Sequence, residues 1–292
     1  MFQQLEPWEE QLFRHTQPTT KIPVDDVTAY CLNPEQNWVY NKLHLCRSQG
    51  VEAYPHGIPP SSFPVFSKPI INLFGLGSGS KLLSSWDDRQ DYMAGHFWMP
   101  VLRGEQYTTD FAVVEGKVVW HYTMMASLDI DGEPVLWSYS SLPWMRDIVG
   151  WVEKHLAGYT GCCNMETRDG VIFDAHLRLS PQFVDLYGSG WLSAIVRLYE
   201  EGEWDYTSNE PGYSMVLRTK LDLRPTLIEA PSFKGCSVQL PYYAGKSLSA
   251  GYDHKSYRLA IVNGRDLGQV TAAFTELRTL LLSSSYHGNG PL

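Results

Sequence analysis

Lys42, Lys68, Glu166, Asp174, His176 and Arg178 are the side chains of this sequence whose types and order could do chemistry together. Asp174, His176 and Arg178 alternate, so on a strand all three point to one face. An acid, an imidazole and a guanidinium on one face are costly unless something polar sits there. A metal–polyphosphate would satisfy all three, because carboxylate oxygens suit magnesium and a guanidinium forks onto phosphate. Lys42 and Lys68 add point charges, and backbone amides of the small-residue loop at 75–80 could cradle phosphate. Taken singly, each member has a plainer explanation. A lone histidine is more often a hydrogen-bonded structural residue, and a helix lysine a solvated charge. Glu105 beside Gly104 reads as a turn residue, and a glycine run as an ordinary turn. The order and spacing of the set carry the functional reading. The loop GLGSGSKL is not a Walker loop, because no glycine precedes Lys81. Nor is it a dinucleotide fingerprint, because Ser80 stands at the final glycine position.

The elements that must position these residues can be read along the chain. Residues 1–36 are mixed, with turn chemistry at Gln17-Pro18 and Asn33-Pro34. Residues 38–49 are spaced as a helix, with Val39, Leu43 and Cys46 on one face and Gly50 as its stop, so Lys42 sits on a helix. Residues 65–69 read as a strand closed by Pro69 and bearing Lys68. Stretches 96–102, 107–114 and 117–125 read as an antiparallel meander with a tight turn at Gly116. A helix is expected over 145–157. Strands at 161–167 and 171–176, joined through Arg168-Asp169-Gly170, form a hairpin that puts Glu166 and Asp174 on its two arms. A further helix is expected at 190–198. Strands with proline breaks follow over 213–240, then a strand at 257–263 and a helix at 267–282. The fold class is α+β.

The strings NKL at 41–43, PVFSKP at 64–69, GLGSGS at 75–80, HFWMPVLRGEQYTTDFAVVEGKVV at 96–119 and GCCNMETRDGVIFDAHLRLS at 161–180 resemble, in this order, the ATP-grasp superfamily. The resemblance covers about residues 37–200. It implies two α+β subdomains clasping a nucleotide, followed by a small C-terminal α+β unit. It implies that Lys42 and Lys68 contact the phosphates of ATP, and that Gly75, Gly77, Ser78, Gly79 and Ser80 form a lid over them. Backbone around Met99, Val101 and Leu102 would meet adenine, and Glu105 would bind ribose. Glu166, Asp174 and His176 would hold Mg2+, and Arg178 and Lys68 would be catalytic. Asp174 and His176 stand where the family usually has glutamate and asparagine. Only residues 1–41 precede Lys42, so most of the family's usual N-terminal domain is expected to be missing. The segments expected are 1–36, an N-terminal stretch; 37–100, with the lysines and lid; 101–203, with the metal-binding hairpin; and 204–292, the C-terminal unit.

Composition narrows the function classes. The chain has 292 residues, 43% hydrophobic and 19% charged, a globular balance that allows about two domains. With 23 basic and 32 acidic residues the formal charge is −9, which argues against nucleic acid or an anionic membrane as partner. Cys31, Cys46, Cys162, Cys163 and Cys236 include no CxxC pair and read as free thiols in a reducing compartment. The first residues carry no basic, apolar leader, and no run approaches a membrane span, so a cytoplasmic protein is expected. The activity expected is an ADP-forming ligase that activates a carboxylate as an acyl-phosphate and joins it to an amine or other nucleophile. A homo-oligomer or partner chain supplying the missing domain would fit that expectation. A non-catalytic, regulatory ATP-binding protein is the alternative. A glycan- or peptide-binding module is a third, since 10 Trp and 17 Tyr could supply stacking platforms. There is no GxSxG and no HExxH.

Overall fold

The computed structural model describes residues 12, 13, 16, 18–73, 77, 79–88, 94–128, 134–227, 229–242, 244, 256–284, 286 and 287. In chain order the helices are α1 (Asp26–Leu32), α2 (Lys42–Ser48), α3 (Met145–His155), α4 (Val184–Tyr187), α5 (Trp191–Glu201) and α6 (Leu267–Ser284). The strands up to the middle of the chain are β1 (Tyr54–Pro55), β2 (Val65–Pro69), β3 (Lys81–Leu83), β4 (His96–Pro100), β5 (Gln106–Val114), β6 (Lys117–Leu128) and β7 (Pro134–Tyr139). Those that follow are β8 (Gly161–Arg168), β9 (Val171–His176), β10 (Tyr213–Thr219), β11 (Leu223–Arg224), β12 (Cys236–Gln239), β13 (Tyr257–Gly264) and β14 (Tyr286–His287). Mixed helices and antiparallel sheets give the α+β class that the sequence pattern predicts.

The chain forms two compact units, and neither is one contiguous stretch. Of the described residues, the first unit holds those up to 22, those within 124–140 and those from 180 on; the second holds those within 23–123 and 141–179. In the second unit a sheet of order β1-β4-β2-β3 carries Lys68 on β2. A separate run of neighbours there is β9-β8-β5 and the part of β6 up to Thr123. Turn chemistry fixes the register. Glu115 and Gly116, and again Asp169 and Gly170, have positive φ at both turn positions, the geometry that favours two-residue hairpins. At Gly116 a side chain would come within 2.8 Å of Ala157 Cα, so only glycine fits.

The helix expected over 38–49 is divided. Asn37–Tyr40 makes a 3-10 turn, Asn41 is extended, and its side chain accepts the His44 amide at 2.9 Å, so α2 starts at Lys42. The backbone amide of Lys42 donates to Ile70 O at 2.8 Å, tying the start of α2 to the end of β2. One face of that sheet packs Phe97 and Met99 with Cys46 and Ala53, with Leu102 and Phe173 alongside. The other packs Val65, Leu83 and Trp98.

In the first unit β12, β13, β10 and β7 are neighbours, and β7 also pairs with the last residues of β6, Met124–Leu128. Val270, Ala273, Leu277 and Leu281, three or four residues apart on α6, bury one stripe against Leu217, Leu259 and Val262. The Cys31, Cys46, Cys162, Cys163 and Cys236 thiols are free. No helix of the described residues is long and apolar enough to cross a membrane. Trp98, Trp120, Trp137, Trp151 and Trp191 are buried, so these tryptophans are core rather than exposed stacking platforms.

Candidate functional site

The site lies within the second unit and is built on β5, β8 and β9. Gln106, Thr108 and Asp110 on β5 stand opposite Arg168, Glu166 and Asn164 on β8. Asn164 and Glu166 in turn stand opposite His176 and Asp174 on β9. Alternation therefore puts a continuous polar face across three strands. Its members bond to one another. Arg168 Nη2 donates to Gln106 Oε1 at 2.7 Å, and Asn164 Nδ2 donates to Thr108 Oγ1 at 2.8 Å and Asp110 Oδ1 at 3.1 Å.

Both lysines reach β9. The Lys42 ammonium pairs with Asp174 Oδ2, and Lys68 Nζ donates to Phe173 O at 2.8 Å while lying 5.1 Å from the centre of the Phe173 ring. His176 Nε2 lies 3.8 Å from Asp174 Oδ1 and 4.0 Å from Glu166 Oε1. Burial and the neighbouring Lys42 charge push Lys68 down to about 8. Burial pushes Asp174 up, but the Lys42, His176 and Lys68 charges outweigh it and hold its carboxyl below the usual range. Glu166, whose side chain keeps 30% of its exposure, is pushed up by loss of water and by the Asp174 charge beside it. A carboxyl raised in this way gains most from an arriving cation.

Asp26 joins this set, and no spacing or pattern in the sequence marks it. Asp25 accepts the Thr28 amide at 2.8 Å, an N-cap that places Asp26 in the first turn of α1. Arg178 Nε lies 2.9 Å from Asp26 Oδ1 and Nη2 donates to Oδ2 at 2.9 Å. His176 Nδ1 is 2.9 Å from Asp26 Oδ1, and the Tyr40 hydroxyl donates to the same oxygen at 3.1 Å. Burial pushes Asp26 up, but the Arg178 and His176 charges and their hydrogen bonds prevail and hold it well below the carboxylate range. Tyr40 also accepts the Leu177 amide at 3.0 Å, and Arg178 Nη1 donates to Leu179 O at 3.2 Å.

The expected residues divide as follows. Lys42, Lys68, Glu166, Asp174, His176 and Arg178 come together. Met99 is buried in the apolar cluster, and Val101 and Leu102 follow the end of β4, half-buried. Glu105 is exposed and accepts the Tyr107 hydroxyl at 2.6 Å. Gly77 and Gly79 have positive φ, and the Ser80 amide closes a turn onto Gly77 O at 3.0 Å. Gly75 and Ser78 lie outside the described residues. Among the described residues no three His, Cys, Asp or Glu side chains form a metal cage. The Glu166–Asp174 pair is suited instead to an ion such as Mg2+ that takes one or two carboxylates and completes its shell with phosphate oxygens and water. Asp26, Tyr40, Thr108, Asp110 and Asn164 are missed from sequence. The polar alternation 106, 108, 110 and 164, 166, 168 is the signal that marks the strand members.

No protein-family model and no curated protein matches the sequence. Solved structures match the fold. A carboxyaminoimidazole ribonucleotide synthase from Aspergillus clavatus, complexed with ATP, is 10% identical, with a TM-score of 0.59 over 85% of this chain and 74% of that one. An L-amino acid ligase from Bacillus licheniformis is 12% identical, with a TM-score of 0.56 over 87% of this chain and 73% of that one.

The chain has an ATP-grasp fold.

Pyruvate carboxylase from Rhizobium etli, solved with acetyl coenzyme A, is 15% identical, with a TM-score of 0.56 over 90% of this chain. This chain spans only 27% of that one's length. Lys42, Lys68, Gly77, Gly79, Ser80 and the β8–β9 hairpin belong to a single unit of the molecule.

Proposed function

We propose that the protein is an ATP-dependent, ADP-forming ligase that activates a carboxylate as an acyl-phosphate and passes the acyl group to an amine or other nucleophile. The convergence of Lys42 and Lys68 on the strand that carries Asp174, with Glu166 opposite, supports this reading most directly. Residues 37–100 supply the lysines and the lid loop, and the hairpin within 101–203 supplies the carboxylates. Lys42 and Lys68 neutralise the phosphates of ATP, and Lys68, desolvated beside Phe173, acts at full strength because no water screens it. Gly75, Gly77, Ser78, Gly79 and Ser80 cover the phosphates. Backbone around Met99, Val101 and Leu102 meets the adenine, and Glu105 binds the ribose. Asp174 and Glu166, with His176 beside them, would hold Mg2+, which would neutralise charge on the phosphates. Arg178 faces the carboxylate as it takes the γ-phosphoryl group, and lid closure keeps water from the acyl-phosphate. The likeness of the fold to an L-amino acid ligase and to a carboxyaminoimidazole ribonucleotide synthase agrees with a carboxylate-plus-amine chemistry.

The test is ADP release with a panel of carboxylates and amines. Substrate-dependent release is expected, and Lys68→Ala or Asp174→Ala should remove it. Turnover that survives either substitution would overturn the site assignment.

A non-catalytic, regulatory ATP-binding protein is the second reading. The Asp26 carboxylate on Arg178 favours it, because an arginine so engaged is less free to meet substrate. Calorimetry separates the two: ATP binding without ADP release in the presence of any substrate pair supports this reading.

A further inference from the structure

We propose that Asp26 is a positioning residue of this site, fixing the imidazole of His176 and the guanidinium of Arg178. The inference rests on the ligase reading for what the two side chains do, but not for how they are held. An ionised carboxylate only accepts hydrogen bonds. Asp26 receives Tyr40 Oη and His176 Nδ1 at Oδ1 and Arg178 Nη2 at Oδ2, and it pairs ionically with Arg178 Nε, 2.9 Å from Oδ1. His176 Nδ1 must therefore carry a proton, and the ring is set with Nε2 toward Glu166 and Asp174, 4.0 Å and 3.8 Å away. An outer carboxylate that orients a histidine toward a charged centre is a recurrent way of fixing ring and tautomer together.

The same carboxylate grips Arg178 by its Nε–Nη2 edge. A guanidinium has five N–H donors, so donors at Nη1 and Nη2 remain beyond those Asp26 requires. The grip removes rotamer freedom from a long side chain before any anion arrives, so that less entropy is lost when one binds. Asp26 is itself held. Its side chain keeps 5% exposure, the Asp25 N-cap fixes its turn, and Tyr40 is anchored to the Leu177 amide between the two residues it serves. Removing the carboxylate while keeping the shape, as in Asp26→Asn, puts an amide where His176 and Arg178 both need an acceptor.

The test uses the full chain labelled with 15N. The Arg178 Nε–H and His176 Nδ1–H resonances are assigned by their loss in Arg178→Lys and His176→Asn. Both are expected to be protected from exchange in the unaltered protein and lost in Asp26→Asn, with the other histidine signals unmoved. In parallel, Asp26→Asn should lower kcat for substrate-dependent ADP release by about tenfold or more, the usual scale for an outer-sphere partner, with KM for ATP unchanged. Formate added to Asp26→Ala should restore part of kcat by refilling the acceptor position. A folded Asp26→Asn that keeps both resonances, or keeps its kcat, overturns the proposal. If Asp26→Asn does not fold, exchange in the unaltered protein decides, and unprotected Arg178 Nε–H and His176 Nδ1–H overturn it. If the unaltered protein releases no ADP with any substrate pair, the ligase reading falls, and the two resonances alone decide whether Asp26 fixes its partners.

Discussion

Lys68 is an ammonium held where water is scarce, and its titration near 8 makes it half neutral in mildly alkaline solution. Burying its charge costs stability below about 8, and the cost lifts as pH rises toward the ordinary lysine value of 10.5. An incoming phosphate reverses the balance by favouring the charged form. ATP binding at pH 8–9 is therefore expected to take up a proton, and affinity to fall as pH rises through about 8. Calorimetry in two buffers of different ionisation enthalpy reads the uptake, which Lys68→Met should abolish. Lys42 has a different task. Its ammonium neutralises Asp174, and the two side chains keep 6% and 18% exposure. Lys42→Met removes the ammonium that pairs with this buried carboxylate, so urea denaturation should show a loss of roughly 3 kcal/mol, at the low end of broken buried ion pairs. At this scale Lys68, Glu166, Asp174, His176 and Arg178 are legible because their types alternate or close strands. Asp26 is not, because nothing in the Asp25-Asp26 pair tells which carboxylate caps the helix and which meets Arg178.

At the scale of elements, β9 would present an open edge were it not for one side chain. Gln49 Nε2 donates to Ile172 O at 2.8 Å, and its Oε1 accepts the Ile172 amide at 2.7 Å, so an amide group takes the place of a neighbouring strand. The strand that carries Asp174 and His176 is thereby held against α2, which carries Lys42. Gln49→Ala strands a backbone donor and acceptor at the half-buried edge and should lower stability by about 1–3 kcal/mol, measured by urea denaturation. The hairpin of β8 and β9 is plain in the sequence because Asp169-Gly170 sets its turn and apolar residues alternate beside it. The break at Asn41 is hidden, since the apolar spacing from Val39 to Cys46 runs through it, and only the cap bond to His44 shows where the helix begins. Helix α1 escapes notice for want of length. Seven residues of α1 bury only Asp26 and Ala29, too few to make a period.

At the scale of the molecule, the expected segments were contiguous, whereas the two compact units are not. Hydrophobic patterning reports which residues face a core, but it does not say which core, so the return of 141–179 to the unit of 23–123 leaves no mark in the sequence. The α+β class is legible all the same, because it depends on local periods. Any ligand that binds only the folded form raises the melting temperature by mass action. At one hundred times its dissociation constant, ATP with Mg2+ should add about 2.7 kcal/mol, read by scanning calorimetry. Lys68→Met should erase the shift while an unrelated surface change leaves it.

The interleaving of the units bears on how the protein is born. Every residue of the unit that carries the site has been polymerised once Leu179 is in place, while the other unit still awaits its sheet strands β10, β12 and β13 and the long helix α6. At ribosomal speeds that wait lasts several seconds, far longer than helices and hairpins need to form. Asp26, the lysines and the carboxylate hairpin can thus find one another on the nascent chain, before the last third of the polypeptide exists to compete for them.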